Sequence, residues 1–290
     1  MSKFINPFTD MGFKKIFGQE ITKDLLIGFL NDLLVGEREI TDIRFLDKEQ
    51  PGTTEDSRSL IYDVYCETVT GEKIIVEMQN KSQPYFKDRA VFYLSNAIAR
   101  QGEKGPAWQY DIKAVYGVFF MNFRLEGGKE RPRRDIALVD KETHEQFSDK
   151  MRFIFLEIPS FRKEEDECDN NFERWIYVLK NMETLKRMPF KAQDSVFAKL
   201  EKIVDIASLS KEERMKYDES IKQYRDTIAV MNGQYEEGMA KGMAKGKAEG
   251  KSEGERNKAL EIAKNLKSMG LPYEQISTVT GLPIDEIKNL

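Results

Sequence analysis

One histidine and two cysteines in 290 residues remove most of the usual catalytic and metal-binding repertoires. With His144 alone, no multi-histidine metal site can form, and neither a Ser-His nor a Cys-His catalytic pair is expected. His144 lies in the polar stretch DKETHEQ, which reads as a surface loop. Cys66 and Cys168 are too few for a disulfide framework and fit a reducing compartment. Neither a GxxxxGK phosphate loop nor a GxGxxG dinucleotide turn is present. No apolar run approaches the roughly 18 residues of a membrane helix. The N-terminal MSKFINPFTDMGFKK lacks the apolar core and small-residue cleavage site of a secretory signal. The expectation is a cytoplasmic chain without a membrane span.

The chemistry left to such a chain belongs to carboxylates, amides, lysines and arginines. That set suits hard, oxygen-ligated cations: Mg²⁺ or another divalent cation. A net charge of −4 argues against a uniformly basic nucleic-acid coat but leaves room for local basic patches. Hydrophobic residues make up 40%, with 18 Phe and 11 Tyr, ample for a packed interior. Charged residues, 33% of the chain, concentrate in the C-terminal third, so a globular front and a helical, solvated back are expected.

Thr9 or Asp10 can cap a short helix, MGFKKIFG, stopped at Gly18. Thr22 can cap a second, in which Leu26, Phe29, Leu30, Leu33 and Leu34 repeat at helical spacing before Gly36. Residues 40–48 are a strand candidate, and QPGTTEDS is a loop. SLIYDVYCETV and EKIIVEMQN then read as a β-hairpin turned at Thr70-Gly71. YFKDRAVFYLSNAIARQG is an amphipathic helix, IKAVYGVFFMNF a buried strand, and IALVD and MRFIFLEI two further strands. From Asn171 the pattern is helical almost throughout. This order predicts a mixed sheet with helices packed on its faces.

Alternation places Ile61, Asp63 and Tyr65 on one strand face, and Ile75, Glu77, Gln79 and Lys81 on another. Folding the hairpin brings Asp63 opposite Glu77, two carboxylates that repel unless a cation lies between them. The alternative is that Asp63, Glu77 and Gln79 decorate the solvated face of an antiparallel sheet. Against it, Glu77 sits in the apolar run KIIVEM, where an unpartnered acid is expensive.

The segments FTDMGFKKIFG, LLIGFLNDLL, Asp63, IVEMQN and KDRAVFYLSNAIARQG, in this order within residues 4–185, resemble the recombination-promoting nuclease / transposase family, a PD-(D/E)XK branch. The resemblance implies an α/β fold: a restriction-endonuclease-like core with a mixed sheet flanked by helices, plus an all-helical C-terminal extension. It implies a Mg-dependent DNA endonuclease serving recombination, mobile elements or defence; the alternative is a catalytically inactive DNA-binding or assembly module of the same fold. Asp63 and Glu77 would hold the metal, with the Met78 carbonyl as a backbone ligand. Gln79 stands where the superfamily most often has lysine. An amide orients water but supplies no positive charge to the transition state. Lys81 is the candidate for the missing cation, or a solvated lysine at the strand end. Asp10 matches an additional acidic residue of related nucleases, or is a first-turn acid favoured by the helix dipole. Arg89 and Tyr93, four apart on one helix face, would border the site, with Arg89 on phosphate. The alternative for Arg89 is an ion pair with Asp88 or Glu77.

Between Arg124 and Arg134, the cations Arg124, Lys129, Arg131, Arg133 and Arg134 surround Gly127-Gly128 and Pro132. They read as a projecting loop, either a DNA-backbone clamp or a plainly soluble one. Gly238, Gly242, Gly246, Gly250 and Gly254 recur every four residues, giving a self-association helix or a flexible linker. The last 34 residues resemble a helix-turn-helix, but PIDEIKNL is too acidic for a phosphate-lined groove, which favours protein contact. The expected organisation is a nuclease core over 1–165, a helical extension over 166–233, and an oligomerising tail over 234–290. The expected partners are double-stranded DNA and further copies of the chain, joined through the C-terminal helices.

Overall fold

The computed structural model describes residues 2–51, 59–105, 108–125 and 130–290. Most of the QPGTTEDS loop and Gly127, Gly128 and Lys129 of the basic loop lie outside the described residues. The chain divides into two compact units, residues 1–228 and 229–290.

In the first unit six strands form one mixed sheet: β1 (Ile43–Phe45), β4 (Val64–Thr68), β5 (Lys73–Gln79), β6 (Val115–Met121), β7 (Arg133–Val139) and β8 (Gln146–Glu157), ordered β1-β4-β5-β6-β8-β7. A separate two-stranded ribbon joins β2 (Glu49–Gln50) to β3 (Leu60–Ile61). The β4–β5 hairpin turns at Gly71, whose φ of 93° only glycine adopts without strain. β5, β6 and β8 run parallel, and β7 returns antiparallel along the far edge. All seven residues of β6 are buried, as a parallel strand covered on both faces requires.

Helices cover both faces. On one, α1 (Asp10–Phe17), α2 (Lys23–Leu33), α4 (Asn171–Asn181) and α5 (Ser195–Val204) enclose Phe13, Phe17, Phe29, Phe120, Trp175 and Phe197. Trp175 donates its indole N–H to Asp32 at 3.0 Å, satisfying the polar end of a buried ring. α4 and α5, placed in a helical extension from the sequence, thus share the core of the sheet. On the other face lies α3 (Phe86–Ala99), its Phe86, Ala90, Leu94 and Ala97 packed against Tyr65, Ile75, Phe119 and Phe155. Gly117 of β6 permits this approach: a Cβ there would stand 2.6 Å from the Leu94 side chain.

α6 (Lys211–Ser268) is one 58-residue helix that contains all five periodic glycines. Its first turns belong to the first unit, where the Tyr217 hydroxyl accepts the Asn6 N–H at 2.9 Å and the Asn122 amide donates to the Tyr224 hydroxyl at 3.0 Å. In the second unit the end of α6, α7 (Tyr273–Thr280) and α8 (Ile284–Lys288) bury Ala263, Ile276, Leu282 and Ile287. Gly281 closes α7 in the left-handed conformation, as a terminating glycine should. The would-be recognition helix α8 has only five residues; its Glu286 is ion-paired with Arg256 at 2.6 Å.

Candidate active site

The hairpin register pairs Val64 with Val76, so the next positions along it set Asp63 against Glu77. The structure joins them directly. The Asp63 N–H donates to Glu77 Oε1 at 3.2 Å, and the Met78 N–H donates to Asp63 Oδ2 at 2.8 Å. Gln79 completes the cluster, its Nε2 donating to Glu77 Oε2 at 3.1 Å. Glu77 is only 3% exposed, which disposes of the solvated-face reading. Alternation along β5 sends Ile74 and Val76 to the α1–α2 side and Ile75, Glu77 and Gln79 to the α3 side.

The face-sharing predicted for Ile61 fails. Between β3 and β4 the chain breaks pairing at Tyr62-Asp63, so Tyr62 joins Tyr65 in the α3-side core at 5.0 Å while Ile61 turns out to solvent. That break frees the Asp63 carboxylate to reach the Met78 N–H beyond the end of the β4 ladder.

Burial pushes both carboxyl groups up. Glu77 is driven to about 8, first by desolvation and then by the charge of Asp63. For Asp63, desolvation outweighs the opposing Met78 hydrogen bond and the nearby charges of Lys14 and Arg89. No lysine or arginine among the described residues forms an ion pair with either acid. Ionising both groups would set two carboxylates side by side, one of them buried, without an ion-paired counter-charge, which is the electrostatic situation that a cation relieves.

Among the described residues, no group of three or more His, Cys, Asp or Glu could hold a metal ion. The donor set is therefore two carboxylates plus backbone. In a strand, the C=O of a residue points to the same edge as its N–H, so the Met78 carbonyl shares the edge that faces Asp63. All these donors are oxygens. The set fits a Mg²⁺-like ion, which takes one or two carboxylates and fills its remaining positions with water and phosphate oxygens.

The other predicted residues divide. Arg89 stands close enough for its charge to act on both acids. It makes no ion pair with Asp88 or Glu77; it donates to Gln83 at 3.4 Å and lies over the Tyr93 ring, 5.7 Å from the centroid. Tyr93 meets Tyr62 edge-on at 5.1 Å. Asp10 is an exposed first-turn acid paired with Lys14, and Thr9 is the cap, accepting from Gly12 at 3.0 Å. Lys14 was missed from the sequence, although its spacing of four from Asp10 marks a shared helix face. Lys81 lies beyond the end of β5 and is exposed, so it does not continue the Glu77–Gln79 face as expected.

Arg133 and Arg134 are not on a projecting loop. They open β7, three strands from β5 and hence roughly 14 Å from Glu77. Arg133 grips Asp135 through two nitrogens at 2.7 and 2.9 Å and caps the Leu33 carbonyl at 2.7 Å. Arg134 is ion-paired with the buried Glu157. Arg131, two residues before Arg133, is exposed, and Arg124 pairs with Glu130 at 2.7 Å. The two arginines at the strand start are engaged at the sheet edge, with Asp135, the Leu33 carbonyl and Glu157.

The profile of the PD-(D/E)XK nuclease family transposase matches residues 7–234. The chain belongs to this family. The match spans the sheet, both helical layers and the first part of α6, and it contains the whole carboxylate cluster. No curated protein and no solved structure matches the chain. The family and the mixed sheet flanked by helices agree with the sequence reading, and no described helix is long and apolar enough to cross a membrane.

Proposed function

We propose that the chain is a metal-dependent DNA endonuclease whose centre is Asp63, Glu77 and Gln79. The observation that carries the reading is the carboxylate pair itself: buried Glu77 and half-buried Asp63, both of raised pKa and hydrogen-bonded into one cluster, with no ion pair to either among the described residues. A divalent cation such as Mg²⁺ would be held by Asp63, Glu77 and the Met78 carbonyl. When bound, it would supply an acidified water and charge to offset the developing phosphorane.

The remaining work falls to the chain's own groups. Gln79 donates to Glu77 through its Nε2, so its Oε1 can accept a hydrogen bond from a water and fix that water's direction. Arg89 brings a guanidinium to the same edge, where it would pair with a substrate phosphate oxygen. Lys14 holds positive charge on the α1 side, and Lys81 and Arg131 are exposed cations available to a longer DNA strand. Tyr93 braces Arg89 from below. Asp10, bonded to Lys14, sets the position of that cation and is outside the ligand set.

Gln79 in place of lysine favours one other reading, a catalytically inactive DNA-binding or assembly module of the same fold. Plasmid cleavage separates the two. The endonuclease reading expects cleavage that requires Mg²⁺ and disappears in Asp63→Ala; the other expects none. We further propose that the chain is cytoplasmic, serves recombination, mobile elements or defence, and self-associates through its C-terminal helices. Self-association is supported by Gly238, Gly242, Gly246, Gly250 and Gly254, which present bare backbone along a continuous helix; a Cβ added at any of them would meet no other described residue within 4 Å.

A further inference from the structure

Next to the carboxylate pair, the start of α3 and residues 59–61 enclose a cavity of about 640 Å³. Its walls include Ile61, Gln83, Tyr85, Arg89, Phe92 and Tyr93. Tyr85 is 71% exposed, Ile61 61% and Phe92 54%. The neighbouring aromatics Phe86, Phe119 and Phe155 are sealed in the core, so packing did not require these three at the surface. Arg89 and Phe92 share a face of α3, and Tyr85, the residue before its first turn, lines the same space.

The cavity adjoins the proposed reaction centre by covalent neighbourhood. Ile61 precedes Asp63 by two residues, roughly 7 Å along an extended chain. Tyr93 in the wall meets Tyr62, the residue immediately before Asp63, at 5.1 Å. Arg89 belongs to both places, as a cavity wall and as the guanidinium closest in effect to Asp63 and Glu77.

We infer that this cavity receives an unpaired nucleobase of the substrate strand, so that the site acts where DNA is splayed rather than fully paired. The inference rests on the nuclease reading and gives its substrate class. An intact duplex offers phosphates and base edges, and the π-faces of its bases are covered by stacking. The described lining combines aromatic edges with one cation, Arg89, and one carboxylate, Asp88. It suits a base face against Tyr85 and Phe92 with the attached phosphate on Arg89, on the side away from Asp88. The Gln83 amide, which among the described residues accepts from Arg89 at 3.4 Å, supplies donors and an acceptor for the base edge.

The test uses the full chain carrying Glu77→Gln, which suppresses cleavage during binding. Its probes are a single-stranded oligodeoxynucleotide containing aminopurine and the same strand fully paired. The inference predicts a change in aminopurine fluorescence on binding the single strand, and tighter binding to it than to the duplex. Adding Tyr85→Ala and Phe92→Ala should abolish the fluorescence change and weaken single-strand binding roughly 10- to 100-fold, with duplex binding little changed. The pair Tyr85→Leu and Phe92→Leu keeps apolar bulk without the rings and should behave alike, which guards against a folding defect. Equal affinity for both strands without a fluorescence change, or full single-strand binding by the leucine variant, would overturn it. Wild-type cleavage without aminopurine stacking would sink this inference alone. Stacking without Mg²⁺-dependent cleavage would uphold the base site and remove the nuclease reading.

Discussion

At the residue scale the site is a conflict between burial and charge. The folded chain holds Glu77 in its protonated form far above the usual carboxylate range, whereas the unfolded chain releases that proton near pH 4.5. A raised folded-state pKa contributes stability below the unfolded value that is lost as pH rises. The metal-free protein should therefore melt at progressively lower temperature between about pH 4.5 and 8. Glu77→Gln should flatten that slope and melt higher than wild type at pH 8 without metal; Mg²⁺ should stabilise only the wild type. Calorimetry across this range checks it, and parallel curves for the two proteins would refute the assignment. Gln79 is the other residue with a distinct prediction. If its amide directs a water, Gln79→Ala should lower cleavage on the order of 10²-fold, while Gln79→Lys, which restores a donor and adds charge, should keep or raise it. Single-turnover rates for both variants measure this directly.

At the element scale the hairpin carries the centre, and it was the most legible part of the sequence. Gly71 marked the turn and period-two alternation fixed the faces, so counting outward from the turn set Asp63 against Glu77. What counting missed was the break at Tyr62, because alternation assumes that pairing continues through every residue. Lys81 was misplaced for the same reason, since β5 stops at Gln79. Arg133 and Arg134 were placed on a loop and lie at the start of a strand, because composition cannot show that Asp135 and Glu157 stand ready to bind them. The turn end of the hairpin has its own electrostatic lock. Burial opposes the Glu72 charge, but hydrogen bonds from Thr68 and Thr70 and the Arg38 guanidinium hold the carboxyl down to about 2. Its stabilisation is present above about pH 4.5 and lost as pH falls toward 2. Glu72→Gln should therefore lower the melting temperature at pH 7 and narrow its gap to wild type in acid; a gap independent of pH would contradict the lock.

At the scale of the whole molecule, the first unit has its own two-faced core and the second buries a small separate cluster. A chain ending at Ile228 should keep a cooperative thermal transition close to that of the intact protein. Light scattering should find the intact chain self-associated and the shortened one monomeric. A monomeric intact chain would remove the role proposed for the glycine stripe. The alternative of a flexible linker, equally open from the sequence, is disfavoured because the glycines lie inside one helix between Lys- and Glu-rich turns. Glycine costs a helix roughly 1 kcal/mol at each position, so its repetition needs a reason that an isolated helix does not supply.

The central claim is that the paired acids of the hairpin, Asp63 and Glu77, are a metal-dependent phosphodiesterase centre. Its most direct test is plasmid cleavage by purified wild type and Glu77→Ala, each with Mg²⁺ and with chelator. The account predicts cleavage by the wild type with Mg²⁺ alone, and a loss of at least about 10²-fold in the variant. Cleavage that survives chelator or the loss of Glu77, or a folded wild type that neither binds Mg²⁺ nor cuts, would contradict it.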